Sequence, residues 1–254
     1  MTILAPGSPE AWERPEVDVS HLVTETDDPL DNRYTEKQQR LLVSALYSSW
    51  EGPPPMEDDG PPSADSSQRR AFVALANVGL FADTHQQAIV PDVMVSADVT
   101  FPTEMHRKGQ KSYFVWEFGK VPDVVIEVVS NTEGGELDTK KSRYARMRIG
   151  TYVIWDPARY LSERELHVFE LDRQRYRRSE RTFFDELGIG LAVWTGRFEE
   201  AEERWLRWVW SDGSPLLTGD EHAARERDRA ERERDRAERL AARLRALGID
   251  PDEP

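Results

Sequence analysis

Three acidic side chains stand in or beside apolar runs: Asp92 in "VPDVMV", Glu117 in "FVWEFG" and Glu127 in "PDVVIEVVS". Glu127 makes the strongest demand. Val124, Val125 and Ile126 precede it and Val128 and Val129 follow, the pattern of a strand covered on both faces. A carboxylate in such a place destabilises the fold unless it is paired, protonated or bound. If Asp92 lies on a neighbouring strand, the two carboxylates converge, and like charges out of water need a cation or a proton between them. A divalent metal ion meets that need. With no Cys in the chain and no evident His pair, the ligands are all oxygen, which suits Mg²⁺ or Mn²⁺ better than zinc. A hard ion in an open site suits phosphoryl chemistry, where it polarises phosphate and acidifies water. Glu117 reads instead as the end of a strand.

Such chemistry also wants a fixed cation near the developing charge. Lys140 and Lys141 lie 13 and 14 residues beyond Glu127, on a stretch with helical spacing. Adjacent helical residues point about 100° apart, so one of the two faces inward. Lys140 is four residues before Tyr144, a member of the apolar face, and is the expected inward lysine. The alternative is that both lysines face solvent on an amphipathic helix. Asp123, after Pro122, reads as a turn cap.

These side chains require a scaffold. "AFVALANVGLF", "QQAIVPDVMVSADVTF", "SYFVWEFGK", "PDVVIEVVS" and "GTYVIWDP" read as strands. "GGELDTKKSRYARMRIG" between the last two reads as a helix that stops at Gly150, giving a strand–helix–strand unit and a sheet at least partly parallel. "RELHVFELDRQRYRRS" has the pattern of a hairpin, and "RWLRWVWSDGSPLL" that of a late strand with a turn at Asp212–Gly213. Upstream, "YTEKQQRLLVSALYSSW" spaces Leu41, Leu42, Ala45, Leu46 and Trp50 at helical intervals, with Thr35 as the expected N-cap. The expected architecture is a mixed α+β core over residues 34–218. Residues 1–33 are read as a flexible acidic and Pro-rich leader, and residues 51–68 as a flexible loop.

Residues 219–254 differ in kind. "RERDRAE" runs from Arg225 to Glu231 and repeats without change from Arg232 to Glu238. Ala223, Ala230, Ala237 and Leu244 share one heptad position, but Glu226 and Glu233 occupy the place where a coiled-coil seam wants apolar residues. A solvated helix held by pairs such as Asp228 with Arg232 is one reading, and self-association through Leu240, Leu244 and Leu247 is the other.

The 254 residues carry a net charge of −14 and a pI near 4.9, which disfavours non-specific adhesion to polyanions but leaves room for a local basic groove or a metal-mediated contact. Without Cys there are no disulfides, thiolate–zinc sites or Cys nucleophiles. No stretch reaches the roughly 18 apolar residues of a membrane span, and the N-terminus lacks the pattern of a signal peptide. A soluble cytoplasmic protein with no membrane partner is the expectation.

The succession "VPDVMVSADV", "YFVWEFGKVPDVVIEVVSNTEGGELDTKKSRYARMRIGTYVIWDP" and "AERLAARLRALGIDPDE" resembles the bacterial Uma-two family of the PD-(D/E)XK nuclease superfamily. The likeness extends over roughly residues 34–250. It implies a restriction-endonuclease-like core, a central mixed sheet flanked by helices, and Mg²⁺-dependent hydrolysis of phosphodiester bonds with DNA as partner. By this likeness Asp92 and Glu127 match the acidic metal ligands. Val129 stands where the superfamily carries its Lys, and Lys140 matches the Lys that this family carries on the following helix. The leading expectation is therefore an endonuclease with catalytic Asp92, Glu127 and Lys140. The alternative is a non-catalytic protein of the same fold that oligomerises through its C-terminal helix.

Overall fold

The β-branched runs form the centre of a six-stranded sheet in the order β1-β3-β5-β6-β7-β8. Its strands are β1 (Phe72–Ala76), β3 (Val93–Ala97), β5 (Val124–Val128), β6 (Thr151–Trp155), β7 (Leu166–Asp172) and β8 (Arg175–Ser179). The computed structural model describes residues 32–55, 69–83, 87–101, 111–130 and 135–247, with only the backbone of 135–137. Most of the expected leader and of the expected 51–68 loop lies outside the described residues.

β5 and β6 are parallel, joined through helix α3 (Gly135–Met147), and the other neighbours in this sheet are antiparallel. Every residue of β3 and β5 is buried. The alternation of a strand divides them between two cores. Val124, Ile126 and Val128 meet Leu42, Ala45 and Leu46 of helix α1 (Arg33–Ser49), whereas Val125 and Val129 meet Tyr144 and Ile149 at α3 and its end. The sheet is thus flanked by α1 on one face and α3 on the other. This is the mixed α+β, restriction-endonuclease-like arrangement that the sequence implied.

A second sheet packs on the α1 side. It contains β9 (Phe183–Phe184), β10 (Ile189–Phe198) and β11 (Ala201–Val209), all antiparallel. The expected late strand is β11, and its long partner β10 was not among the expected elements. Gly190 is required where β10 meets β9, because a Cβ there would come within 2.8 Å of the Thr182 carbonyl. Gln38 ties α1 to this sheet by donating to the Leu206 carbonyl at 2.8 Å and accepting from the Leu206 amide at 2.9 Å.

Two local expectations change. The N-cap of α1 is Asn32, whose side chain accepts from the Thr35 amide at 2.9 Å, so Thr35 sits inside the first turn and is buried. "SYFVWEFGK" is not one strand. Its Tyr113–Phe114 pair forms β4, parallel to β2 (Leu80–Phe81), and Val115–Phe118 then form the short helix α2. Gly119, at φ 76°, ends that turn in the left-handed region open to glycine.

Helix α4 (Gly219–Ala246) begins with a capping box between Thr218 and Glu221 and has no buried residue. Arg207, 2% exposed, donates to both oxygens of Glu221 at 2.6 and 2.7 Å and to the Leu216 carbonyl at 2.6 Å. The helix is therefore anchored at its first turn. Farther along, the i,i+4 pairs are Arg229–Glu233 and Arg234–Glu238 rather than Asp228 with Arg232. Among the described residues no helix is long and apolar enough to cross a membrane.

Candidate active site

Antiparallel pairing of β3 with β5 sets Val93 opposite Ile126. Asp92, the residue just before β3, therefore comes level with Glu127 near the end of β5. The Asp92 carboxylate is held on both oxygens: the Val128 amide donates to Oδ2 at 2.7 Å, and the Gln39 side chain of α1 donates to Oδ1 at 2.8 Å. These bonds fix the direction of the acid.

Glu127 is 2% exposed and faces α3. Lys140 Nζ donates to its Oε2 at 2.9 Å, and the Tyr144 hydroxyl donates to its Oε1 at 2.5 Å. Residues 140 and 144 lie one turn apart on the same helical flank, so α3 delivers both donors to one carboxylate. Lys141 points elsewhere, its ammonium 3.5 Å from the centre of the Phe169 ring, and burial lowers its pKa. Lys140 is thus the inward lysine of the pair.

Burial, reinforced by the Asp92 carboxylate, pushes the pKa of Glu127 up to about 8 against the opposing pull of Lys140 and Tyr144. The raised value favours a protonated Glu127 near neutral pH when no other cation displaces the proton. Burial and the adjacent Glu127 raise the pKa of Tyr144, which keeps its hydroxyl protonated and donating.

The donor set fits a hard divalent ion. Ionised carboxylate oxygens each have more than one acceptor direction, so Asp92 and Glu127 can accept these hydrogen bonds and still present oxygen to an ion. Among the described residues no group of three or more His, Cys, Asp or Glu side chains forms a cage. Mg²⁺ does not demand one, since it is commonly held by one or two carboxylates and keeps several waters.

Asp92, Glu127 and Lys140 are brought together, whereas the remaining acids lie elsewhere. Glu117 is exposed on α2 rather than at a strand end. Asp123, at the other end of β5, accepts from the Ala97 amide at 2.7 Å and pairs with Lys120 at 2.7 Å, closing the turn into that strand. Gln39 and Tyr144 complete the site. Gln39 had no sequence signal connecting it to Asp92, while Tyr144 was visible only as a member of the apolar face.

A family model described as "Uma2: Putative restriction endonuclease" matches residues 62–193, a span that contains Asp92, Glu127 and Lys140. Among solved structures, the chain is similar to "a putative nuclease belonging to DUF820" from Anabaena variabilis. The two are 14% identical with a TM-score of 0.37, over 61% of this chain and 71% of that one. No curated protein matches the chain.

Proposed function

This chain belongs to the Uma2 family, and from that premise we propose that its pocket is a metal-dependent endonuclease site that hydrolyses phosphodiester bonds of DNA. The observation that carries this reading is the meeting of Asp92 and Glu127 at the ends of adjacent buried strands, with Lys140 Nζ 2.9 Å from Glu127. Asp92 and Glu127 would hold Mg²⁺, or Mn²⁺ in its place. When bound, the ion supplies positive charge against the scissile phosphate and makes water more acidic.

The side chains divide the remaining work. Gln39 and the Val128 amide orient Asp92, and Tyr144 orients Glu127. If a bound cation displaced the Glu127 proton to solvent, Lys140 would turn its ammonium toward an attacking water or toward charge developing on phosphate. It takes the role of the strand lysine that Val129 replaces, acting from the neighbouring helix. Buried and fixed before reaction, such a cation stabilises the transition state with little reorganisation.

Incubation of supercoiled plasmid and linear duplex with purified protein tests the reading. Cleavage is expected with Mg²⁺ or Mn²⁺, and is lost on chelation or in Glu127→Ala. No cleavage with either ion, or a Glu127→Ala variant as active as the wild type, would overturn it.

One observation favours a second reading, a non-catalytic assembly protein. Helix α4 spans 28 residues with none buried and carries the exact seven-residue repeat. Sedimentation of the full chain and of a chain ending at Arg225, which keeps the Arg207–Glu221 clamp, decides it. Self-association that disappears on truncation supports assembly, and an unchanged oligomeric state removes that role from α4.

A further inference from the structure

On the α3 face of the sheet, where Leu80 and Tyr113 share a core with Tyr144, lies a surface that the hydrolytic reading leaves without a task. Phe81 ends β2 and Phe114 ends β4, and the parallel register sets their rings 5.0 Å apart and 27° from parallel. Trp116 of α2 continues the row, 4.9 Å from Phe114, and is 47% exposed. An indole held half in water at the end of an aromatic row is poorly explained by core packing. It presents a broad face to whatever approaches.

The chain leaves β2 through Ala82 and Asp83, which with Arg143, Arg146 and Met147 of α3 line a cleft of about 380 Å³. Ala82 follows Phe81 in the chain, so the cleft borders the end of β2 and the helix that bears Lys140. Arg143 and Arg146 follow Lys140 along α3 by about 4.5 and 9 Å of helical rise. Arg143 is held by a bond to the Gln87 carbonyl at 2.6 Å, and Arg146 is exposed. Against a chain charge of −14, two arginines on the helix that carries Lys140 form a local route for a polyanion. Asp83 lines the same cleft, and the backbone of a bound strand is expected to follow the arginines.

Aromatic faces next to cationic side chains are the chemistry by which proteins hold unpaired nucleotides, since bases stack on rings while phosphates meet Arg. A fully paired duplex buries its base faces and cannot use such a row. We propose that the Phe81–Phe114–Trp116 row and the Arg143–Arg146 cleft bind a single-stranded segment of DNA on the α3 face of the sheet. The proposal rests on the nuclease reading of that pocket and narrows its substrate to DNA with unpaired nucleotides near the cleavage point.

The test is a fluorescence-anisotropy titration, without divalent ion, of a labelled single strand of about 16 nucleotides and of the corresponding duplex. The wild type is expected to prefer the single strand. Trp116→Ala should weaken that binding by about tenfold, and Trp116→Phe should restore it to within about twofold. Arg146→Ala should weaken binding and lower its salt dependence by about one phosphate contact. Trp116 lies outside the buried cores, and circular dichroism checks that each variant is folded. The proposal is overturned if Trp116→Ala binds the strand as the wild type does, or if the wild type prefers the duplex. Cleavage assays with Mg²⁺ and Mn²⁺ on the same proteins separate the two claims. Strand binding that depends on Trp116 in a protein that cuts no DNA supports this surface and removes the hydrolytic reading. Cleavage that persists in Trp116→Ala with unchanged strand affinity removes this surface alone.

Discussion

In the pocket, three charged side chains meet where water is largely removed: Glu127 is 2% exposed and Lys140 19%, and Asp92 is close enough to raise the pKa of Glu127. Helix α4 has far more charge, nine Arg and eight acidic residues over Gly219–Ala246, but none of its residues is buried. The difference lies in solvent rather than in residue type. Out of water, the burial of Glu127 beside Asp92 favours its protonated form. In water, i,i+4 pairs such as Arg229–Glu233 are screened and contribute only a few tenths of a kcal/mol each. The Arg207–Glu221 clamp lies between these extremes, where charge leaves the core and enters solvent.

The contrast should be widest in catalysis. Glu127→Gln preserves shape and removes the charge, so DNA cleavage measured with Mg²⁺ is expected to fall by about 10³-fold or more. Arg234→Gln on α4 should leave the rate unchanged. Equal rates for the two variants would dissolve the distinction between the regions.

The adjacent lysines sharpen the same point within one helix. Lys140→Met should lower kcat by about 10²- to 10³-fold. Lys141→Met loses a contact with the Phe169 ring and the attraction of Asp138, so its effect should be confined to about 1 kcal/mol of stability in a thermal melt.

For the clamp, Arg207→Ala leaves Glu221 without its buried partner and should reduce stability by about 3 kcal/mol. Arg229→Ala on the exposed helix should cost less than about 0.5 kcal/mol. Denaturant unfolding of both variants measures the gap.

A smaller effect follows from the pKa of Glu127, raised from 4.5 to about 8 in the fold. Because the folded value exceeds the unfolded one, the folded state binds the extra proton between these limits. The associated stability is complete below the unfolded value and is lost as pH rises toward 8. From about pH 6 to about pH 7.5, the metal-free wild type should lose about 2 kcal/mol relative to Glu127→Gln. Parallel pH profiles of the two proteins would contradict this account of the buried carboxylate.

The strands around Glu127 were legible because burial on both faces writes an unbroken β-branched run into the sequence. The helix carrying Lys140 was legible from its periodicity, and Lys140 could be placed beside the pocket through Tyr144. That the Tyr144 hydroxyl would reach Glu127 was not, because apolar spacing reports where a ring packs and not what its polar end meets. Gln39 could not be found at all, since it precedes Asp92 by 53 residues and only the packing of α1 brings them together. "SYFVWEFGK" misled because its aromatic residues favour strands, while left-handed Gly119 closes a helical turn instead. β10 had a readable alternation of Ile189, Leu191 and Val193, interrupted by glycines that its close neighbours require.

Titration calorimetry with Mg²⁺ and Mn²⁺ near pH 7 tests the metal-site claim most directly, using wild type and Asp92→Ala in two buffers of different ionisation enthalpy. The account predicts that the wild type binds the ion and releases close to one proton per ion, because Glu127 is largely protonated beforehand, and that Asp92→Ala loses this binding. No binding of either ion at millimolar concentration, or an Asp92→Ala variant that binds as tightly as wild type, would contradict it.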